Sequence, residues 1–257
     1  MRVNPTTILI TGASSGIGAA LAVAYAAPDV TLALVGRDAM RLEAVAAECR
    51  TRGANVQPGT VDVTDKLALA GFIARVDDET PIDLVIANAG ISSGSFEGGE
   101  TLAMAEKVFA VNFDGVIHTI HPLIERMKAR RGGHIAIMSS LAGIIALPGA
   151  PAYSASKAAV RVYGDALRGM LRPYGVAVSV ICPGWIATPL TDKNNFPMPL
   201  IMPVERAIHI IMRNLRKKKP RIAFPLRLYL PLRALSILPV CVSDFLWRQL
   251  PKQRLKS

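Results

Sequence analysis

The chain has 257 residues, and 51% of them are hydrophobic. Its mean hydropathy is +0.34, yet no run of about 18 apolar residues is free of proline and charge, which excludes a membrane-spanning helix. The first residues lead directly into an apolar segment that the fold needs, so we expect no signal peptide. The length suits one domain with a full hydrophobic core.

The net charge of +11 is concentrated in one region. Residues 205–257 hold 13 basic and 2 acidic residues, whereas residues 1–204 are balanced. This asymmetry indicates a C-terminal segment that meets an anionic surface. Cys49, Cys182 and Cys241 show no metal-ligand spacing, so we expect reduced thiols in a cytoplasmic protein and no metal site.

Short apolar runs alternate with longer helix-like segments as far as about residue 190. The predicted strands cover residues 7–10, 30–35, 56–63, 82–87, 134–138 and 176–181. The predicted helices between them cover residues 16–27, 39–52, 65–79, 104–130 and 152–173. Most runs are apolar at successive positions, as in strands that are buried on both faces of a parallel sheet. The alternation predicts an α/β fold with a doubly wound, Rossmann-like parallel sheet.

The regular pattern ends beyond residue 189. A helix over residues 204–215 and a short last strand over residues 221–224 are still predicted. Residues 226–250 then mix leucine, isoleucine and valine with arginine, and prolines interrupt them. We therefore expect a single Rossmann-like domain over residues 1–220, followed by a basic, apolar extension over residues 221–257.

A glycine-rich turn follows the first predicted strand and opens the first helix. It reads Thr11-Gly12-Ala13-Ser14-Ser15-Gly16-Ile17-Gly18. Glycines allow a tight turn and let a phosphate approach the helix N-terminus, where free N–H groups and the helix dipole favour negative charge. Between a strand and a helix, this turn predicts a site for the pyrophosphate of a dinucleotide.

Further motifs follow in order along the chain. They are Asn88-Ala89-Gly90, Asn112, Ser140 in Ser-Ser-Leu-Ala-Gly, Tyr153-x3-Lys157, and Pro183-Gly184 with Ile186 and Thr188 behind it. Together with the Gly-x3-Gly-x-Gly turn, they resemble the short-chain dehydrogenase/reductase family over roughly residues 6–190. The resemblance implies an oxidoreductase that moves a hydride between a nicotinamide cofactor and a carbonyl or alcohol substrate.

The catalytic group is expected to be Asn112, Ser140, Tyr153 and Lys157. Tyr153 and Lys157 are four residues apart, so they are neighbours on one helix face. A nearby ammonium favours the phenolate, and we expect it to lower the pKa of Tyr153 so that the phenol can act as acid and base. The Ser140 hydroxyl can polarise a substrate carbonyl. The resemblance implies that Lys157 also bonds the nicotinamide ribose and that Asn112 holds a relay water.

The cofactor-binding residues are expected in the glycine turn, in the later motifs and at two strand ends. They are Gly12, Ser14, Ser15, Gly16, Ile17, Gly18, Arg37, Asp62, Val63, Asn88, Ala89, Gly90, Tyr153, Lys157, Pro183, Gly184, Ile186 and Thr188. Arg37 stands where an acidic residue would accept the 2′-hydroxyl of NAD, and an arginine can pair with a 2′-phosphate. NADP(H) is therefore favoured over NAD(H), while Asp38 is expected to be a helix N-cap.

The apolar segment after Thr188 suggests a lipophilic substrate. A sugar or nucleotide-sugar substrate, or a membrane-docked cofactor-binding regulator with little catalysis, stays open as an alternative. Apolar and arginine residues together in the tail suggest peripheral contact with an anionic membrane on its cytoplasmic face. A homo-oligomer contact is the second interpretation of the tail, and the basic run at residues 216–219 is too short to favour nucleic acid.

Overall fold

The computed structural model describes residues 6–92, 100–147, 149–192 and 198–239. At its centre lies a sheet whose seven strands are Thr7–Thr11 (β1), Thr31–Gly36 (β2), Asn55–Thr60 (β3), Leu84–Ala87 (β4), His134–Met138 (β5), Ala177–Pro183 (β6) and Arg221–Phe224 (β7). The α-helices of the described ranges are Gly16–Tyr25 (α1), Ala39–Thr51 (α2), Lys66–Glu79 (α3), Leu102–Phe109 (α4), Gly115–Ala129 (α5), Pro151–Leu171 (α6), Val204–Arg216 (α7) and Leu226–Leu235 (α8).

The sheet is parallel throughout, in the order β3-β2-β1-β4-β5-β6-β7. Helices α1, α2 and α7 cover one face around side chains such as Ile10 and Leu34. Helices α3, α5 and α6 cover the other face around side chains such as Val85 and Ile137. Every residue of β1, β4 and β5 is buried, as the continuous apolar runs predicted. The doubly wound, Rossmann-like sheet is confirmed.

The order of the strands determines where a ligand can bind. β1 pairs with β2 on one side and with β4 on the other, so the chain reverses its direction of winding at β1. The loops after β1 and β4 therefore separate to opposite faces and leave a crevice at the carboxyl ends of the strands. The glycine turn and the Asn-Ala-Gly motif both lie at this crevice.

Two predicted elements differ from the structure. The strand predicted to reach residue 63 ends at Thr60; it is the edge strand β3, where Pro58 and Gly59 are tolerated because no strand pairs on its outer side. The helix predicted over residues 104–130 begins at Leu102 and is interrupted by one π-helical turn, Ala110–Asp114. Asn112 lies in that turn, and single π turns inside helices are frequent at functional sites.

The sheet continues past residue 220. β7 pairs with β6 in the register Ile181↔Ile222, and Leu228 of α8 packs against Leu141 and Cys182. β7 and α8 therefore pack on the sheet, because β6 offers both an edge for pairing and apolar side chains. The domain boundary at residue 220 stays a prediction. Residues 240–257 of the expected extension lie outside the described residues. Within the described ranges, no helix has the length and apolar character needed to cross a membrane.

Candidate active site

A cavity of about 1210 Å³ opens at the carboxyl ends of the strands. Its wall contains most of the residues that the sequence predicted for the site. These are Gly12, Ser14, Ser15, Gly16, Ile17, Arg37, Asp62, Val63, Asn88, Gly90, Ser140, Tyr153, Lys157, Pro183, Gly184, Ile186 and Thr188. Gly18, Ala89 and Asn112 do not line it. The fold therefore brings residues from seven separate segments to one place.

The glycine turn is too compact for larger residues. Gly12 has a φ of +68°, and a Cβ on it would lie 2.9 Å from the Cα of Ala89. A Cβ on Gly18 would lie 2.2 Å from the carbonyl oxygen of Gly12, which explains why Gly18 is needed although it does not line the cavity. The turn brings the N-terminus of α1 to the cavity wall. This arrangement fits the pyrophosphate of a dinucleotide.

Asn88 holds the two sides of the crevice together. Its side-chain amide donates to the carbonyl oxygen of Thr11 at 3.0 Å, and its backbone N–H donates to Thr11 Oγ1 at 3.1 Å. These bonds join the end of β4 to the end of β1 directly beneath the glycine turn. Asn88 therefore acts on the cofactor site by fixing the shape of the turn.

Helix α6 carries Tyr153 and Lys157 in its first two turns. Its N-cap, Ala150, has no side chain that can cap, and the carboxylate of Glu100 accepts from the backbone N–H of Ala152 instead, at 3.0 and 3.2 Å. The Ser139 hydroxyl donates to the carbonyl oxygen of Lys157 at 2.7 Å. The catalytic helix is thus held at its start and along its side by groups from distant parts of the sequence.

Ser140, Tyr153 and Lys157 meet inside the cavity wall. Lys157 is 3% exposed, and its ammonium donates to the carbonyl oxygen of Met138 at 3.0 Å. The same ammonium lies 5.8 Å from the centre of the Tyr153 ring. The Ser140 Oγ accepts from the backbone N–H of Ala142 at 3.1 Å, and the Ser140 hydroxyl donates to the carbonyl oxygen of Pro183 at 3.5 Å. Two hydroxyls and one ammonium therefore face a common space.

The pKa of Tyr153 differs in direction from the sequence-based expectation. Burial raises the pKa of the phenol, and the hydrogen bond from Ser140 only partly opposes this. Burial also lowers the pKa of Lys157 to about 8. The expected lowering of the Tyr153 pKa is therefore wrong, because burial raises this pKa by more than the hydrogen bond from Ser140 lowers it. The protonated phenol is the form suited to donating a proton to a carbonyl oxygen.

Asn112 lies behind the cavity wall and is fully buried. Its carbonyl oxygen accepts from the backbone N–H of Ile91 at 2.8 Å, and its amide donates to the Ile91 carbonyl at 2.9 Å and to Ser156 Oγ at 3.1 Å. A Cβ on Gly90 would lie 3.2 Å from the Asn112 oxygen and 3.1 Å from the Lys157 nitrogen. Asn112 therefore positions the chain next to Lys157, and its role in a water relay stays a prediction.

Two ion pairs lie in the part of the cavity wall that follows β2 and β3. Arg37 pairs with Asp62 at 3.3 Å, and Arg41 pairs with Asp38 at 2.7 Å. Burial acts to raise the pKa of Asp62, but hydrogen bonds from Thr64 and the charge of Arg37 keep that pKa below its usual value. Asp38 also accepts from the backbone N–H of Arg41 at 3.0 Å, which confirms its predicted role as the N-cap of α2. Both carboxylates therefore already accept hydrogen bonds within the protein.

Three groups near the site were missed at the sequence level. Arg41 lines the nucleotide end of the cavity, Leu228 and Leu232 of α8 line another part of its wall, and Glu100 caps the catalytic helix. Arg41 could have been found from its place three residues after the Asp38 cap. Leu228, Leu232 and Glu100 depend on contacts between elements that are far apart in the sequence, and no local pattern indicates them.

Comparison with known proteins agrees with this geometry. A family model described as short chain dehydrogenase matches residues 6–198, which include the glycine turn and the Tyr-x3-Lys motif. The chain belongs to the short-chain dehydrogenase/reductase family. It is 35% identical over 245 residues to an uncharacterized oxidoreductase of Myxococcus xanthus, covering 95% of this chain and 97% of that one.

Solved structures of short-chain dehydrogenases extend the comparison. A short-chain dehydrogenase from Sphingobium yanoikuyae in complex with NADPH superposes with a TM-score of 0.81 and 26% identity, covering 98% of both chains. A short-chain dehydrogenase/reductase from Burkholderia phymatum in complex with NAD has a TM-score of 0.83 over the full length of both chains, and at 22% identity it shows the shared fold alone. Family members thus bind either nicotinamide cofactor, and the chain is a dehydrogenase/reductase enzyme.

Proposed function

We propose that this enzyme uses NADP(H) and that its substrate is a lipophilic ketone or the corresponding secondary alcohol. One observation carries the proposal: a single cavity has arginines at one end, Tyr153 and Lys157 between, and an apolar wall at the other end. A bound nicotinamide would supply or accept the hydride. In reduction, Tyr153 donates a proton to the carbonyl oxygen while Ser140 donates a hydrogen bond to the same oxygen.

The preference for NADP(H) rests on charge at the nucleotide end. Arg37 and Arg41 supply two guanidinium groups at the cavity wall, and a 2′-phosphate can accept hydrogen bonds from both. Each side-chain ion pair with Asp62 or Asp38 uses only one guanidinium nitrogen of Arg37 or Arg41, so both arginines keep further N–H donors for a phosphate. Arg41 supplies a second basic group beside Arg37, whereas the glycine turn itself, residues 11–18, contains no basic residue.

The lipophilic substrate is favoured by the residues around the reacting groups. Outside the nucleotide motifs, most of the residues that line the cavity are apolar, among them Leu141, Ile145, Leu147, Leu190, Leu228 and Leu232. Such a wall offers few hydrogen-bond partners to a sugar, whose hydroxyls would lose their contacts with water on entry. It can instead bury the methylene groups of an extended ketone, each contributing about 0.8 kcal/mol.

The cofactor proposal is tested by replacing Arg37 with alanine. A charge-assisted hydrogen bond contributes about 1.5–3 kcal/mol, so Arg37→Ala should raise the KM for NADPH about 10- to 100-fold and leave the KM for NADH nearly unchanged. Arg75→Ala, which removes an exposed arginine outside the cavity, is the matched control. Equal KM values for NADPH in the wild type and in Arg37→Ala would contradict the proposal that Arg37 selects NADP(H) over NAD(H).

The substrate proposal is tested with ketones graded from short and polar to long-chain. We expect kcat/KM with NADPH to rise with chain length, and Tyr153→Phe to lose at least about 100-fold in kcat while it still binds NADPH. Higher activity with sugar ketones than with long-chain ketones would favour the sugar alternative. Cofactor binding without turnover of any carbonyl compound would favour the regulator.

We propose a cytoplasmic location and self-association as further properties. The thiols of Cys49 and Cys182 are free and buried, which is consistent with a reducing compartment. Val162 and Met170 of α6 are 56% and 55% exposed, and apolar residues of this size on one helix suit a contact between copies. Light scattering of the purified protein measures the mass of the assembly, and a monomer would contradict self-association.

A further inference from the structure

Helix α8 has two apolar faces with different surroundings. Leu228 and Leu232 (the inner leucines) line the cavity, and a Cβ on Gly184 would lie 3.3 Å from the Cδ2 of Leu228. Leu226 and Leu230 (the outer leucines) are 61% and 60% exposed. Residues two positions apart lie about 200° apart around a helix, so the outer leucines lie on the face opposite the cavity.

The outer face continues as an apolar and positively charged surface. Ile237 and Leu238, just after α8, are 74% and 45% exposed, and the exposed Arg227 and Arg233 lie between and beside the outer leucines. The sequence holds no acidic residue from position 206 to position 243. Apolar side chains flanked by guanidinium groups suit the interface of an anionic lipid layer, where the leucines enter the acyl boundary and the arginines meet the headgroups.

A second copy of the chain suits this surface less well. In a symmetric dimer the same patch occurs on both partners, so the arginines of one copy would lie in the same interface as the arginines of the other. Within the patch no carboxylate is available to neutralise the four guanidinium groups that two copies would bring together. An anionic lipid layer supplies the negative charge that a second copy does not.

We propose that α8 is the lipid-facing wall of the substrate cavity. Its outer leucines lie in an anionic membrane interface, and its inner leucines receive a lipophilic substrate that leaves the same interface. A helix with its side chains is about 10 Å wide, so the substrate would move only that far between lipid and cavity. This inference rests on the proposed function, since it assigns an entry route and two specificity-determining residues to the proposed ketone site.

The test compares two double variants of the full chain. Leu226→Ser with Leu230→Ser changes the outer face, and Leu228→Ala with Leu232→Ala changes the inner face. Binding is measured by sedimentation with phosphatidylcholine vesicles that do or do not contain about a third phosphatidylserine. Turnover is measured with a short water-soluble ketone and with a long-chain ketone, which is supplied either in the vesicles or as a cyclodextrin complex. A cooperative thermal transition and an unchanged far-UV circular dichroism spectrum confirm that each variant still folds.

The two variants should fail in opposite ways. The outer variant should bind anionic vesicles at least about tenfold more weakly and lose turnover of vesicle-borne ketone, yet match the wild type on the short ketone and on the cyclodextrin complex. The inner variant should bind vesicles normally, and its KM for the long-chain ketone should rise about tenfold relative to the short one in every format.

Other results would overturn the inference. The lipid-facing role is excluded if the wild-type protein reduces ketones but stays in the supernatant with anionic vesicles. It is also excluded if the outer variant differs from the wild type only in forming a smaller assembly, as measured by light scattering. An inner variant with an unchanged ratio of long-chain to short-chain KM excludes the specificity role. Wild-type protein that binds the vesicles but reduces no ketone contradicts the proposed function instead, and delivery of a ketone from lipid fails with it.

Discussion

Acid should destabilise this enzyme through one buried histidine, His134 at the start of β5. Its Nε2 lies 2.8 Å from Ser179 Oγ, and the Ser179 hydroxyl donates to the Lys219 carbonyl oxygen at 2.7 Å. Because the serine proton is used in that bond, the serine oxygen accepts from the Nε2–H of a neutral ring. Burial, with a smaller contribution from the charge of Lys218, lowers the pKa of His134 from 6.5 to about 4.

The sign and size of the effect follow from proton linkage. Between pH 6.5 and 4 the unfolded chain binds a proton at this histidine and the folded chain does not, so stability falls as the pH falls through this range. With these two pKa values, His134 alone should remove about 2 kcal/mol of the free energy of unfolding at pH 5, compared with about pH 7.5. This is a large share of the stability of an ordinary domain.

The assay is urea denaturation at both pH values for the wild type, for His134→Asn and for His209→Asn. Other groups also titrate, so the measured quantity is the loss of unfolding free energy between the two pH values, compared among the three proteins. This loss should be about 2 kcal/mol smaller in His134→Asn than in the wild type, and unchanged in His209→Asn, whose side chain is exposed. An equal loss in His134→Asn and the wild type would refute the argument from burial.

Two further predictions concern groups that hold the helices. Asp77, whose side chain is 2% exposed, accepts from two arginines at 2.9 and 3.2 Å. Asp77→Ala should therefore lower the free energy of unfolding, measured by urea denaturation, by about 3 kcal/mol. A loss under about 1 kcal/mol would show that the ion pairs contribute little. Glu100→Ala should lower the free energy of unfolding by about 1 kcal/mol and should also lower kcat, because the N–H of Ala152 at the start of the catalytic helix loses its acceptor. Adding Ala150→Asp, which supplies a local cap, should restore both quantities, and no restoration would contradict the capping role.

The site residues were predictable where the chemistry is local. The glycine turn is recognisable because the strand before it and the helix after it are adjacent in the chain. The family resemblance singles out Tyr153 and Lys157, and helix geometry explains why they are neighbours. The electrostatics were not predictable in the same way. Whether an ammonium lowers the pKa of a neighbouring phenol depends on how deeply both are buried, and here burial raises the pKa of Tyr153.

The sequence by itself determined the strands, most of the helices and the order of the motifs, because hydrophobic periodicity and backbone preferences act over a few residues. Only the tertiary structure decided how these segments combine. It joined β7 to the sheet, gave α8 an inner face on the cavity, and placed Glu100 at the start of a catalytic helix that begins only at Pro151. Such contacts depend on how segments that are distant in the sequence pack together. That packing is determined by the shapes of buried side chains across the whole fold, which a local sequence pattern does not contain.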